Sequence, residues 1–273
     1  MKMRHGKVLP FLIIAFILTL AFVVYMRMAG PNHPHRFRVA FSDTEYKLKL
    51  PKTATTDTPL ELRFHLANDQ VDARVYYRLY PGERPWQMIP MEREGADLLA
   101  YLPVLPTAGK YAYFVEFEHD GNVQTVRKDD PMVVRYNHPV PDAILLAHVL
   151  SMVVASFMGI MVLLLTIRRH RAFRKYTLLT FAFLTLGGMI LGPIVQKYAF
   201  GEYWTGFPFG MDLTDNKTLI VWIAFLYAVI RNWKKEQPLP ALIASILFIA
   251  INLIPHSMFG SELNPETGEI IQG

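Results

Sequence analysis

The chain contains no cysteine. Disulfides, a thiolate nucleophile, a cysteine-ligated metal and covalent c-type haem attachment through C-x-x-C-H are therefore excluded. It also lacks H-E-x-x-H, G-x-S-x-G and a phosphate-binding glycine loop, which removes the usual signatures of an enzyme. Gly201, Gly206 and Gly210 are spaced for turns. No internal repeat and no low-complexity segment is present. Charge is scarce over long stretches, and that scarcity organises the whole sequence.

Of 273 residues, 52% are hydrophobic, and they are unevenly spread. Five runs are long and nearly uncharged: Val8–Met26, Ala143–Ile167, Thr177–Val195, Leu219–Ile230 and Leu239–Ile254. A membrane span needs roughly 20 apolar residues, each rising about 1.5 Å. The first three runs reach that length. The fourth reaches it if its helix opens within Asp215–Thr218, and the fifth is short but bounded by Pro238 and Pro255. The first run resembles a signal peptide in its basic start. It is longer than a usual apolar core, and no small-x-small cleavage site follows it, so it reads as an uncleaved anchor.

The net charge of +5 does not point to nucleic acid. Residues 30–142 are slightly acidic. The positive charge sits in three clusters: Lys2/Arg4/Lys7, Arg168/Arg169/Arg171/Arg174/Lys175 and Arg231/Lys234/Lys235. With five spans all three fall on one side, the positive-inside pattern of a bacterial inner membrane protein with a cytoplasmic amino terminus. Residues 27–142, the loop 199–216 and the tail then lie outside.

Residues 36–137 change period. Leu60–Leu66 alternates apolar and polar, as a half-buried strand does. Similar runs occur at Phe37–Phe41, Tyr46–Leu50, Ala73–Leu79, Trp86–Met91, Leu98–Leu102, Tyr111–Glu118, Val123–Val126 and Met132–Tyr136. Pro81-Gly82, Glu94-Gly95, Ala108-Gly109, Asp120-Gly121 and Asp129-Asp130-Pro131 punctuate them. Seven to nine short strands predict an antiparallel sandwich of immunoglobulin or fibronectin type III style, with Tyr and Trp in its core. His65 and His119 read as rim residues, and His33-Pro34-His35 as a linker pair.

The expected fold is thus a membrane all-α bundle of five transmembrane helices with an inserted extracytoplasmic all-β sandwich domain. Residues 1–29 form the anchor, 30–140 the sandwich, 141–256 a four-helix bundle, and 257–273 an outer tail.

The loop 199–216 is long for a connector and rich in aromatics: Phe200, Tyr203, Trp204, Phe207 and Phe209. Lipid offers backbone groups no hydrogen bonds, so this loop belongs at an aqueous face, and long ordered loops usually hold something. On the same outer side lie His138, His148 about one and a half turns into its span, and His256 after the last one. His5 and His170 fall in the basic clusters and read as solvated. An imidazole within a span is a functional candidate by default. Imidazole is the common axial ligand of haem iron. Aromatic walls, with Lys197 or Lys217 for the propionates, would complete a noncovalent haem b site. Gly187-Gly188 and Gly192-Pro193 predict close helix packing and a kink.

Gly201-Glu202-Tyr203-Trp204 is similar to a W-G-x-x-W motif with Phe200 in the first tryptophan's place. Asp212-Leu213-Thr214-Asp215-Asn216-Lys217-Thr218-Leu219-Ile220-Val221-Trp222 is similar to W-D-P-[RK]-x-T-x-x-L-I-x-W. Both motifs belong to the tryptophan-rich, haem-handling membrane proteins of cytochrome c assembly, which the stretch Gly192–Tyr227 resembles. Thr205–Met211 is longer than the family's spacer, Met211 replaces a tryptophan, and Leu213 and Thr214 replace Pro and Arg or Lys. The resemblance implies that the loop holds haem, with Tyr203, Trp204, Phe207, Asp212 and Lys217 shaping the pocket. His138 or His148, with His256, would ligate the iron.

Two other readings fit the residues. One is a noncatalytic accessory subunit of a membrane electron-transfer or transport complex. Its sandwich would dock a protein partner at the outer face. The other is a cation site from Asp212, Asp215 and Asn216. Against it, Asp215 reads as the N-cap of the fourth helix.

Overall fold

A computed structural model describes residues 6–30, 33–42, 44–254, 262–263, 267 and 270–271. The chain divides into a helical unit, residues 1–31, 140–260 and 272–273, and a β unit, residues 32–139 and 261–271.

Five apolar helical rods make up the described helical unit. These are α1 (Leu9–Ala29), α2 (Asp142–Ile167), a continuous rod of α3 (Phe173–Leu184), a π-helical turn (Thr185–Leu191) and α4 (Gly192–Phe200), then α5 (Leu213–Asn232) and α6 (Pro238–Asn252). Four of them are long and apolar enough to cross a membrane, by length and composition: α1, α2, the α3–α4 rod and α5. The fifth, α6, has 15 residues. Pro238 at its first position has no N–H to satisfy there, which suits a helix start. The fifth run, expected to be short, is α6.

The tight connections fall at one end of this unit, since α2 and the α3–α4 rod, then α5 and α6, are joined by only a few residues. Arg174 Nη2 donates to the Trp233 carbonyl at 2.8 Å, and Arg171 pairs with Glu236 at 3.2 Å. His170 is fastened rather than merely solvated. Its Nε2 donates to the Gly6 carbonyl at 3.1 Å and its Nδ1 accepts the Ala172 N–H at 3.1 Å. The basic residues of the second and third clusters therefore share one end.

At the other end the helices meet through small residues. A Cβ on Gly187 would stand 3.0 Å from Ser151 Cβ, and one on Gly188 would stand 2.7 Å from Thr218 Cγ2. Only glycines admit α2 and α5 this close to the α3–α4 rod. The Gly-Gly pair does what its sequence predicts. Trp222 Nε1 donates to Thr185 Oγ1 at 2.9 Å at the start of the π turn.

In the β unit, β1 (His35–Phe41) and β2 (Thr44–Leu50) form a ribbon. A larger sheet runs β3 (Thr53–Thr55), β11 (Met132–Asn137), β9 (Lys110–His119), β5 (Asp72–Tyr80), β6 (Gln87–Pro90), with β10 (Asn122–Val126) also on β9. A smaller sheet runs β4 (Leu60–His65), β8 (Asp97–Leu102), β7 (Glu92–Glu94). Every strand expected from period-2 alternation is present. Four more are described: β3 and β7, of three residues each, and β12 (Glu262–Leu263) paired with β13 (Ile270–Ile271), all too short to show a period. The β3–β11 pairing is parallel, which departs from the all-antiparallel expectation.

Alternation sends Val39, Leu48, Leu62, Phe64, Leu102, Val75, Tyr113, Val115 and Phe117 into one core shared by the ribbon and both sheets. Each large apolar side chain buried there contributes about 1.5–3 kcal/mol. Tyr113, fully buried, donates its hydroxyl to the Pro51 carbonyl at 2.6 Å. Burial pushes that phenol up from its ordinary pKa. Tyr111, Tyr113 and Tyr136 are core, as expected. Trp86 is not: it packs edge-on against Phe114 on the sheet's outer face, under the Arg78 guanidinium at 4.5 Å. Asp120 and Gly121 both take positive φ, the two-residue turn that closes the β9–β10 hairpin.

Candidate functional site

The aromatic loop occupies residues 201–212, shorter than the stretch 199–216 because helices claim both ends. Gly201, at φ +88°, ends α4 in the left-handed conformation and donates its N–H to the Lys197 carbonyl at 3.0 Å.

The loop is built around one buried carboxylate. Asp215 Oδ2 accepts the Thr205 N–H at 2.7 Å, the Gly206 N–H at 3.1 Å and the Thr205 hydroxyl at 3.2 Å. Gln196 Nε2, from α4, donates to Thr205 Oγ1 at 2.6 Å. Asn216 Oδ1 accepts the Phe207 N–H at 2.7 Å. Asp212 caps α5: its Oδ1 accepts the N–H groups of Thr214 and Asp215 at 2.8 and 3.0 Å. The expected roles are therefore exchanged. Asp212 is the cap, and Asp215, in the first turn, reaches back to hold the loop. Asp212 Oδ1, Asp215 Oδ2 and Asn216 Oδ1, among the oxygens read as cation ligands, each accept backbone N–H groups. Among the described residues no group of three or more His, Asp or Glu side chains is placed to hold a metal.

Lys217 points inward. It is buried, and its Nζ donates to the Ile254 carbonyl at 2.7 Å, just past the end of α6. That bond fastens the far end of α6 to the helix that carries the loop.

The loop's aromatics face outward. Tyr203, Phe207 and Phe209 are 59%, 65% and 81% exposed, and Met211 beside them is 75% exposed. Lys197 Nζ lies 5.3 Å from the Tyr203 ring centre. Trp204 is half-buried, and its Nε1 donates to the Phe207 carbonyl at 3.0 Å. The described loop is thus a polar knot that carries exposed aromatic side chains.

His148 sits on α2, half-buried, with Nδ1 2.9 Å from the Gly187 carbonyl. That oxygen can only accept, so Nδ1 carries the proton. The π turn makes the contact possible. In it the Gly192 N–H reaches five residues back to Gly187 rather than four. A histidine with Nδ1–H on a backbone carbonyl presents Nε2 as its free donor, the orientation metal-ligating histidines take. His138 lies in the β unit, with Nδ1 2.6 Å from Thr56 Oγ1. His256 and His5 lie outside the described residues.

Tested as haem partners, the residues divide. His148 has the right tautomer and anchoring. Lys197 lies on the surface beside Tyr203 with its Nζ on the Gly201 carbonyl, and Lys217 is bonded to the Ile254 carbonyl. Sequence reasoning missed Gln196, Thr205 and Gly187 as site-building residues. The only signal was a glutamine near the end of an otherwise apolar run.

No protein-family model matches the chain, and no curated protein matches its sequence significantly.

Proposed function

We propose that this chain is a multi-pass protein of a bacterial cytoplasmic membrane, with its basic turns and amino terminus inside and its β unit and aromatic loop outside. Its five helices span, α6 being the short one. It binds haem b noncovalently through His148 at the end of the helical unit that carries the loop. The resemblance of Gly192–Tyr227 to haem-handling proteins gives this a place in cytochrome c assembly.

One observation carries the reading: the hydrogen bond from His148 Nδ1 to Gly187, which fixes the ring and leaves Nε2 to bind iron. The Gly188–Thr218 contact and the Lys217–Ile254 bond support it, because they gather α2, the α3–α4 rod, α5 and the end of α6 at one level.

The test is spectroscopic. Detergent-purified protein titrated with haem should show a shifted Soret band. His148→Ala should lose the band or move it, while His170→Ala should not. A protein with no Soret change, with or without added haem, removes the haem site. A second reading is favoured by the exposure of Tyr203, Phe207, Phe209 and Met211. On it, the chain is a noncatalytic accessory subunit whose loop and β unit dock a protein partner at the outer face. An absent Soret band together with co-purification of a partner, lost in Phe207→Ser/Phe209→Ser, would support that reading.

A further inference from the structure

The β unit carries a cationic groove that neither reading uses. It encloses about 610 Å³ and is lined by Arg36, Phe37 and Arg38 of β1, Lys47, Leu48 and Lys49 of β2, and Arg63 and His65 of β4. The register of the ribbon sets Arg36 directly opposite Lys49 and Arg38 directly opposite Lys47. Like charges in facing positions of an antiparallel pair repel and destabilise it. All four side chains are exposed, and the alternate positions on the ribbon's other face are buried in the core. A one-residue slip to relieve the repulsion would expose that core, so the register is locked with the repulsion in it.

Little on the surface relieves the charge. Arg38 has Glu45 at 3.4 Å. Among the described residues, Arg36, Lys47 and Lys49 form no ion pair. The groove's third side is better ordered. Glu61 and Asp97 hold the Arg63 guanidinium at 2.6 and 2.8 Å, and His65 donates Nδ1 to Asp97 at 2.7 Å. The Arg63 guanidinium, held by two carboxylates, therefore borders the same groove as the two cationic pairs.

The geometry points to a binding site for the phosphate of an anionic phospholipid headgroup. Facing side chains stand about 5 Å apart at Cβ, and positions two apart along a strand about 7 Å. A phosphate fits between such neighbours, and guanidinium binds phosphate in a two-pronged fork. The lipid source, rather than a free anion, follows from the tether. Only residues 30–34 separate α1 from β1, at most about 18 Å of chain. This rests on the membrane reading above and is independent of haem.

The test uses the full chain in nanodiscs of phosphatidylcholine, with or without 30% phosphatidylglycerol, and lysine acylation read by mass spectrometry. Phosphatidylglycerol should slow acylation of Lys47 and Lys49 by threefold or more, and 0.5 M salt should restore it. In Arg36→Gln, the protection of Lys49 should shrink. Equal labelling in both discs overturns the proposal. So does protection by millimolar inorganic phosphate in phosphatidylcholine discs, which means a free-anion site, or protection by polyglutamate alone, which means an acidic protein partner. A chain that fails to enter nanodiscs fails the membrane reading instead, which is a separate result.

Discussion

Asp215 Cβ lies 2.6 Å from the point where a Cβ on Gly206 would stand, and the same aspartate accepts the Gly206 N–H at 3.1 Å. The loop is seated on α5 by contact and hydrogen bond together, at a position no other residue can fill. Gly206→Ala should lift the loop, and Asp215→Ala should leave two backbone N–H groups unpaired, each change costing about 1–3 kcal/mol locally. Hydrogen exchange at the Thr205 and Gly206 amides measures it. Both should exchange slowly in the parent and fast in either variant. Unchanged protection in Gly206→Ala would show that the loop and α5 are not in contact at this position.

Asp212 tests the exchanged roles of the two aspartates. As the N-cap of α5 it should tolerate Asn, which caps equally well, and lose about 0.5–2 kcal/mol as Ala. Asp215→Asn should behave differently, because the three donors that converge on Oδ2 would meet a neutral amide oxygen in place of a charged carboxylate, which accepts about twice as strongly. Thermal unfolding of the four variants in detergent should rank Asp212→Asn near the parent and the others below it. Equal losses for Asp212→Asn and Asp215→Asn would contradict the assignment.

The strands of the β unit were legible because burial on one face imposes period 2, and turn residues interrupt it at short intervals. What escaped was β3, three residues whose parallel pairing with β11 depends on contacts eighty residues away. The ends of the helical unit were legible from charge. The loop's content was legible, and its direction was not. Tyr203, Phe207 and Phe209 could be read as aromatic residues of a loop, and the knot of Thr205, Gln196 and Asp215 that holds the loop could not. Gly187-Gly188 announced close packing. Nothing in two glycines announces the change to a five-residue hydrogen-bond step that places a carbonyl against His148.

In the β unit, hydrogen bonds from His65 and then Arg63 hold the Asp97 carboxyl below the ordinary aspartate range. A depressed folded pKa means that the ionised form is favoured by folding. The associated stability is present above the unfolded value near 4 and is lost as pH falls through the lower folded value. The Tm of the parent should therefore drop between about pH 4 and pH 2 more steeply than that of Asp97→Asn, which has no carboxylate to protonate. At pH 7 the variant should be the less stable of the two. Parallel pH profiles would mean that this exposed cluster contributes nothing to folding.

Gly188 and Thr218 allow the packing of the helical unit to be tested by a rescue. A methyl on Gly188 would meet Thr218 Cγ2 at 2.7 Å, and a β-branched side chain on a helix has one strongly limited set of rotamers with which to withdraw. Thr218 Oγ1 is also bonded to the Thr214 carbonyl at 2.9 Å, so rotating Cγ2 away would break that bond. Gly188→Ala alone should lower the Tm and, by moving the π turn, weaken the His148–Gly187 contact. The cost should be of the order of 1–3 kcal/mol. Thr218→Ser removes Cγ2, keeps the hydroxyl and should cost little by itself. Combined, the two changes should recover most of the loss, giving a coupling energy of about 1 kcal/mol or more in a double-mutant cycle. Strict additivity would place Gly188 and Thr218 apart, and with them the level at which α2, the α3–α4 rod and α5 converge on His148.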